Sequence, residues 1–285
     1  MFKNLSPGAV GIRASFDQAL DIASRHGFGG VDVGIGEIAN MIEQQGVNFA
    51  KDKFASRKLK LGGMGCPVEF RQDEPKWRQG LAALPRLAKA SAAVGCFRAA
   101  TWIMPCSDTM DFKTNFDFHV TRLRPIAQIL KDYGISFGLE FVGPATIRRG
   151  KKYEFIWDMP WMLRLCGAIG TGNMGLLLDG WHWYTSHGTV EDLKKLKACQ
   201  VVYVHVNDAP KGIAVDEQLD NVRCLPCETG VIDIGSFLRV LNEIGYDGPV
   251  TPEPFRKDLA TLPAEEAAKL VADSMNKMWK MAGMA

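Results

Sequence analysis

The feature that most constrains the fold of this chain is a repeated alternation of short apolar runs with longer segments of helical periodicity. Runs rich in Val, Ile and Leu are typical of buried strands, and amphipathic segments of period 3.6 are typical of helices that cover a sheet. The segments with helical periodicity include 15–26, 76–94, 116–133, 235–244 and 263–281. The predicted strands are 9–13, 30–35, 59–65, 97–104, 135–142, 174–179, 201–206 and 249–254.

Eight such units in 285 residues predict an α/β fold, a (β/α)8 TIM barrel that spans residues 1–285 as a single domain. The main alternative is an open, doubly wound sheet, which usually carries a Gly-rich phosphate loop after its first strand. The first predicted strand is followed by RASFD at 13–17, which is not such a loop, so the barrel is favoured. The segment 208–233 is longer than an ordinary strand-to-helix connection and predicts a functional loop over the site.

Composition and charge argue against several classes of function. The formal net charge is only +2, with basic and acidic residues interspersed, which predicts neither a nucleic-acid partner nor binding to an anionic membrane. No apolar segment approaches the length needed to span a bilayer, and the N-terminus lacks the apolar core of a signal peptide. The seven cysteines lie mostly in apolar stretches, which favours free thiols in a reducing compartment. The expected location is therefore the cytoplasm.

The last four predicted strands each end in a residue of a type that binds metals. Glu140, Asp179, His205 and Glu253 follow the apolar runs of the fifth to eighth strands. The carboxyl ends of barrel strands meet around one active site, and three carboxylates in one small volume need a cation to stay ionised. A single acidic residue at a strand end is more often a helix cap, but four in succession predict one divalent metal. The oxygen and nitrogen ligands favour Mn²⁺, with Mg²⁺, Co²⁺ and Zn²⁺ as alternatives.

The segments around these residues resemble the xylose-isomerase-like barrel superfamily, and within it the sugar isomerases and epimerases that include the ketose 3-epimerases. The resemblance is clearest from about residue 135 to 256 and rests on Leu139–Phe141, Asp179–His182, Val204–Asp208 and Pro252–Phe255. It implies that Glu140, Asp179, His205 and Glu253 are the metal ligands. It also implies that Glu140 and Glu253 exchange a proton of the substrate from opposite sides.

The resemblance further implies residues that bind the substrate. His182 matches a substrate-binding histidine of the epimerases, whereas Lys211 stands where those enzymes carry an arginine. Thr146 stands where they carry a glutamate. These departures leave the hydroxyl pattern of the substrate open, because Arg and Lys differ as hydrogen-bond partners. Arg223, in the long loop, is placed to reach a substrate oxygen, and a loop-anchoring or solvated arginine fits the sequence equally well.

The expected partner is a small, neutral sugar-like ketone rather than a sugar phosphate. No Gly-rich backbone nest follows the seventh or eighth strand, where barrels commonly bind phosphate. Tryptophans near the strand ends suit an uncharged sugar ring. The basic run at 148–152 is the contrary signal, and it is interpreted as a solvated face rather than an anion clamp. The sequence does not decide between a monomer and a homo-oligomer.

Together these features predict a metal-dependent isomerase or epimerase that moves a proton of a ketose or keto-sugar through an enediolate. Loss of a β-substituent at the same site would instead make the protein a lyase or dehydratase of a keto-sugar or inosose, and this alternative stays open. A third interpretation is a DNA-repair enzyme like the AP endonucleases, which share the barrel. Those enzymes need further histidines on the early strands, and none of the five histidines follows the third or fourth predicted strand.

Overall fold

The chain forms a parallel β-barrel surrounded by helices, in a computed structural model that describes residues 1–284. The strands are β1 (Phe2–Leu5), β2 (Gly30–Val31), β3 (Lys60–Leu61), β4 (Met64–Gly65), β5 (Arg98–Ile103), β6 (Cys106–Ser107), β7 (Ser136–Phe141), β8 (Tyr153–Glu154), β9 (Met174–Asp179), β10 (Val201–Val206) and β11 (Pro249–Pro252). The helices are α1 (Phe16–Arg25), α2 (Ile35–Gln45), α3 (Val47–Ala55), α4 (Glu74–Ala93), α5 (Phe112–Asp132), α6 (Ala145–Arg148), α7 (Met159–Ile169), α8 (Gly180–Thr185), α9 (Val190–Leu193), α10 (Ile234–Glu243) and α11 (Ala264–Met281).

Nine strands share one sheet in the order β3-β2-β1-β11-β10-β9-β7-β5-β4, while β6 and β8 form a separate antiparallel pair. β3 and β4 stand at opposite ends of this order, yet only Gly62 and Gly63 separate them in the chain. They are therefore two halves of one barrel strand, and the sheet closes with eight strand positions. A Cβ atom at Gly62 would lie 2.3 Å from the Asn4 side chain, so only glycine fits at this crossing of the packed interior. The predicted TIM barrel is confirmed.

The first strand lies elsewhere than the sequence predicts. The predicted strand 9–13 is wrong, because Gly8–Val10 forms a 3-10 helix and the first barrel strand is β1. Its sequence, FKNL, has no apolar run. Asn4 of β1 is fully buried, and its Nδ2 donates hydrogen bonds to the Tyr203 hydroxyl at 2.9 Å and to Thr251 Oγ1 at 3.0 Å. A strand that turns a polar residue into the barrel is not revealed by hydrophobicity.

The five segments predicted as helices correspond to α1, α4, α5, α10 and α11. Aspartate side chains cap the N-termini of α4, α5 and α10. Asp233, for example, accepts a hydrogen bond from the Ser236 amide at 3.1 Å and caps α10. None of the helices within residues 1–284 is both long and apolar enough to cross a membrane.

Candidate metal centre

Four side chains meet at the carboxyl ends of neighbouring barrel strands. Glu140 belongs to β7, Asp179 ends β9, His205 belongs to β10 and Glu253 follows β11. The backbone amide of Glu253 still donates to the Val206 carbonyl at 3.1 Å, so β11 and β10 remain in register up to the site. Each of the four residues offers one ligand atom, and these atoms all lie within 4.8 Å of one another. The structure thus brings together the four residues that the sequence suggests as metal ligands.

The donor set fits a divalent cation. Glu140 and Asp179 are buried, and His205 and Glu253 are half-buried. Buried carboxylates this close together are costly unless positive charge compensates them. Arg223 supplies one such charge, at 2.8 Å from Asp179. With a neutral imidazole, the charge of a divalent ion plus that of Arg223 would equal the charge of the three carboxylate ligands, and Asp220, which also pairs with Arg223, adds one negative charge at the edge of the centre.

The centre holds protons that a cation would displace. Burial raises the pKa of Glu140 to about 7, although the nearby His205 opposes this shift. Burial alone would raise the pKa of Glu253 too, but His205 and Arg223 outweigh it and lower that pKa to about 2. Burial alone would lower the pKa of His205, and Glu253 and Glu140 together raise it well above its ordinary value. Two glutamates on one imidazole, with widely separated pKa values, are an arrangement typical of an acid–base pair.

Arg223 lies inside the centre rather than at its rim. Its buried guanidinium donates through NH1 to Asp179 Oδ2 at 2.8 Å and to Glu253 Oε2 at 3.2 Å, and through NH2 to Asp220 Oδ1 at 2.8 Å. Burial alone would lower the pKa of the guanidinium, but these carboxylates raise it. The Phe255 ring packs over it at 4.4 Å. Arg223 therefore orients two candidate ligands, Asp179 and Glu253. The sequence suggests only a contact with substrate or an anchoring role in the loop.

His182 lies beside Arg223, on the short helix α8 that begins directly after Asp179. Its Nδ1 accepts a hydrogen bond from the Gly143 amide at 3.2 Å, so the proton of the neutral ring is on Nε2. That Nε2 lies 3.3 Å from Arg223 NH2 and 3.8 Å from Asp179 Oδ2. Burial lowers the pKa of His182 to about 3, which keeps the ring neutral at neutral pH. Its role in binding substrate stays a prediction.

A single buried carboxylate fixes the ends of the loop 207–233. Asp208 is fully buried and accepts hydrogen bonds, at 2.6–3.0 Å, from the backbone amides of Ala209, Thr229, Gly230 and Ile232. Its backbone also pairs with that of Cys224, the residue after Arg223. This anchor places Arg223 in the centre. Lys211, in contrast, is exposed in the same loop and does not belong to the wall of the cavity beside the centre. Its contact with substrate stays a prediction.

The basic run at 148–152 is engaged within the protein. Arg148 stacks on Trp157 at 4.1 Å, and Arg149 binds Glu217 at 2.7 Å. Lys151 makes a further ion pair, with Asp108. Arg149 and Lys151 are exposed and agree with the interpretation of the run as a solvated face, whereas Arg148, with 10% of its side chain exposed, is packed into the protein.

A cavity of about 770 Å³ opens beside the centre, with Glu140, His205 and Glu253 in its wall. This volume lies in the range of small-molecule sites, roughly 300–1,000 Å³. Most of the remaining wall comes from the first half of the chain, in the segments 6–19, 32–37, 63–71 and 100–102. A molecule in this cavity would contact the candidate ligands on one side and these early loops on the other.

Sequence reasoning missed several polar groups of the cavity wall, among them Asp32 and Tyr203. The Asp32 carboxylate accepts hydrogen bonds from the Gly63 amide at 3.1 Å and from the Tyr203 hydroxyl. Burial raises the pKa of Asp32. The Tyr203 ring stands edge-on to the His205 ring, with centroids 5.4 Å apart, so this pair braces the imidazole. The sequence does carry a signal, because Asp32 follows the apolar end of β2 as Asp179 follows that of β9.

Two curated enzymes are similar in sequence to part of this chain. The chain is 32% identical over 161 residues to an inosose isomerase of Halalkalibacterium halodurans, a match covering 54% of this chain and 52% of that one. It is 28% identical over 148 residues to a 3-dehydroshikimate dehydratase of Pseudomonas aeruginosa, covering 51% of this chain and 22% of that one. These matches thus span about half, or less, of the length of the curated relatives.

Solved structures match over nearly the whole chain. A xylose isomerase domain protein of Alicyclobacillus acidocaldarius superposes with a TM-score of 0.85 at 30% identity, covering 99% of both chains. The IOLI protein, whose crystal structure contains a zinc atom, gives a TM-score of 0.79 at 18% identity and covers 99% of this chain and 98% of that one. A D-psicose 3-epimerase gives a TM-score of 0.75 at 14% identity, over 99% and 100% of the two chains. The sequence profile of the xylose isomerase-like TIM barrel matches residues 20–278, and the chain belongs to that family.

Proposed function

We propose that the protein is a divalent-metal-dependent isomerase or epimerase that moves a proton of a polyhydroxy ketone through an enediolate. The observation that carries the proposal is the position of Glu140 and Glu253. Both carboxylates lie in the cavity wall and within reach of one imidazole, His205, which is the placement that acid–base work on a ketone bound in the cavity requires. The similarity to inosose isomerases agrees with a cyclic polyhydroxy ketone as substrate.

The two glutamates divide the proton transfer between them. Glu253, whose pKa is lowered to about 2, is a carboxylate at neutral pH and is ready to accept the proton next to the ketone. Glu140 lines the same cavity and also contacts His205, so it is placed to return a proton to the substrate carbon. Return of the proton to the other face gives epimerisation, and return to the neighbouring carbon gives isomerisation.

The remaining residues of the centre bind and orient. When bound by Glu140, Asp179, His205 and Glu253, a divalent ion would supply Lewis-acid stabilisation of the negative charge that develops on the substrate oxygens. Mn²⁺ is the favoured ion, because three oxygen ligands outnumber one nitrogen and no thiolate is present in the set. Arg223 keeps two of these carboxylates in place from the loop side.

The second candidate is a dehydratase, in which the enediolate expels a β-hydroxyl instead of taking back a proton. It uses the same glutamates. Similarity to 3-dehydroshikimate dehydratases agrees with it, and the specific observation that favours it is Arg71, a cation in the cavity wall that suits a keto acid.

Exchange of substrate protons into D₂O tests both candidates, because both begin by removing the same proton. Chelator-treated protein would be mixed with Mn²⁺ and a panel of ketoses, keto-glycosides, inososes and 3-dehydroshikimate, and followed by ¹H NMR. We expect metal-dependent loss of the signal next to the ketone for at least one compound. Exchange that persists in excess chelator, or exchange with none of the panel, would contradict the proposal. Binding to abasic DNA in a gel shift would instead support a DNA-repair function.

A further inference from the structure

Arg71 is a cation in the cavity wall whose charge no carboxylate within residues 1–284 neutralises at ion-pair distance. It lies in the connection between β4 and α4 and lines the same cavity as Glu140 and Glu253. Its NH2 donates to the Trp102 carbonyl and, at 3.4 Å, to Thr101 Oγ1. Its Nε is buried and finds no hydrogen-bond partner in the part of the chain that the structure describes. The guanidinium is thus only partly satisfied by the protein.

Aromatic rings hold this guanidinium in a fixed position. The Phe70 ring lies 4.2 Å from its central carbon, and the Trp102 ring lies 4.1 Å from it. Phe70 is fully buried and cannot move without disturbing the core. Stacking of this kind limits the freedom of the side chain and leaves the edge of the planar group available for hydrogen bonds.

The contrast with Arg223 indicates what Arg71 lacks. Arg223 has Asp179, Glu253 and Asp220 beside it, and together these carboxylates raise its pKa. At Arg71 burial prevails and lowers the pKa, against only the weaker influence of Cys66 and the exposed Glu69. A partly buried cation without a counter-charge is costly, and a bound anion would remove that cost.

Arg71 also has the shape for one class of anion. Its planar donors match a carboxylate through two parallel hydrogen bonds. The acidic groups elsewhere in the wall, among them Asp32 and Glu37, would repel an anion from the rest of the cavity. Arg13 is also a cation of this wall, but it is exposed, whereas Arg71 is partly buried and held by stacking; a carboxylate bound at Arg71 would therefore orient the molecule.

We propose that Arg71 binds a carboxylate of the substrate, so that the protein acts on a polyhydroxy keto acid whose ketone end reaches Glu140 and Glu253. This proposal rests on the proposed function for the ketone end, and it replaces the neutral substrate expected from sequence. It leaves the argument against a sugar phosphate in place, because Arg71 stands alone rather than in a phosphate-binding nest of amides.

Matched substrates and variants test the proposal. A cyclic polyhydroxy keto acid and its carboxamide have nearly the same shape, but the amide lacks the charge and one acceptor oxygen; both would be assayed for proton exchange with the Mn²⁺-loaded enzyme. We expect the wild type to prefer the acid by at least about tenfold in kcat/KM, the order of one charged hydrogen bond. Arg71→Met should remove this preference mainly by raising KM for the acid, and Arg71→Lys should keep part of it. Arg239→Met removes an exposed arginine of α10 that lies outside the cavity wall and is the matched control.

Two outcomes would overturn the proposal. One is equal use of the acid and the amide by the wild type; the other is an equal loss on both substrates in Arg71→Met, which would make Arg71 a purely structural residue. A titration that needs no turnover separates this proposal from the proposed function. A saturated cyclohexane polyol carboxylate would be titrated into the metal-free protein while tryptophan fluorescence is followed. Saturable binding that Arg71→Met weakens at least about tenfold, close to 1.4 kcal/mol, supports the Arg71 site even if no exchange is found; no binding to the wild type refutes it.

Discussion

The two halves of the barrel differ in how they contribute to the site. In the second half, β7, β9 and β10 have six residues each, and each carries a candidate metal ligand at or near its end. In the first half, β2, β3 and β4 have two residues each, carry no candidate ligand, and give way to loops that form most of the cavity wall. Long paired strands fix side chains relative to one another, whereas loops vary at little cost to the barrel. The comparison suggests chemistry in the second half and selection of the substrate in the first.

The strongest test of this division removes the proposed acid–base groups. Glu140→Gln and Glu253→Gln should each lower the rate of proton exchange by about 10²–10⁴-fold, because the amide keeps the shape but cannot take up a proton. Exchange would be measured at saturating Mn²⁺, with bound metal determined in the same samples. Glu243→Gln, at an exposed position of α10, is the matched control. Near-normal exchange in either active-site variant with metal bound would assign the proton transfer to another group.

The pH dependence of metal binding tests whether the candidate ligands of the second half release protons together when a cation binds. In the metal-free protein the pKa of Glu140 is raised to about 7 and that of His205 is raised well above its ordinary value, so both hold protons at and below neutral pH. A cation must displace these protons. Apparent affinity for Mn²⁺ should therefore fall as the pH drops below 7, by about 10–100-fold per pH unit for one or two displaced protons. Calorimetric titrations in two buffers would give the proton count; affinity independent of pH would contradict the assigned ligands.

Removal of the Asp208 anchor tests whether proton exchange in the second half also depends on the loop 207–233, in addition to the strands. Asp208→Ala leaves four backbone amides of the loop without their acceptor, which should cost about 2–4 kcal/mol of unfolding free energy. Arg223 should lose its fixed position, so exchange should also fall. Urea denaturation gives the stability, and Asp216→Asn in the exposed part of the loop is the control. Unchanged exchange in a folded Asp208→Ala protein would show that Arg223 is held in the centre without this anchor.

The smallest expected effect comes from a contact between the two halves, made by Tyr203 of β10. Tyr203→Phe removes the hydroxyl that binds Asp32 at the end of β2 and Asn4 of β1, while the ring beside His205 stays. We expect a loss of about 1–3 kcal/mol in stability and a change of a few-fold in KM or kcat, because the hydroxyl bonds the Asp32 carboxylate as well as Asn4 and Thr251. Thermal unfolding and exchange kinetics give both. A loss of exchange as large as that of Glu140→Gln would contradict the division of roles between the two halves. It would mean that the hydroxyl bonded to Asp32 takes part in the proton transfer.

The sequence is most informative in the second half, for a physical reason. The strands there are buried on both faces, so their apolar runs stand out, and the residue that ends each run is set by the strand to point at the site. The amino-acid pattern alone is therefore enough to predict that Glu140, Asp179, His205 and Glu253 lie together, as they do in the folded chain.

The first half cannot be predicted in the same way. β1 carries Asn4 inside the barrel and has no apolar run, so hydrophobicity points to a neighbouring segment instead. Arg71 reaches the cavity through stacking between Phe70 and Trp102, which are 32 residues apart in the chain and meet only after folding. Nothing in the sequence around Arg223 indicates that it lies among the ligands, because the folding of its loop depends on Asp208.

The position of Arg223 has a consequence for which ions the centre selects. A guanidinium beside Asp179 and Glu253 is a resident monovalent counter-ion that cannot leave or lose its proton near neutral pH. Because Arg223 offsets one of the three negative charges of the carboxylate ligands, two positive charges remain for an ion to supply. In Arg223→Met the same carboxylates would lack three positive charges, so selectivity should move from divalent ions toward trivalent ones such as Tb³⁺, whose luminescence reports its binding. The loop would thereby influence which valence of ion the centre favours, while the strands bring the candidate ligands together.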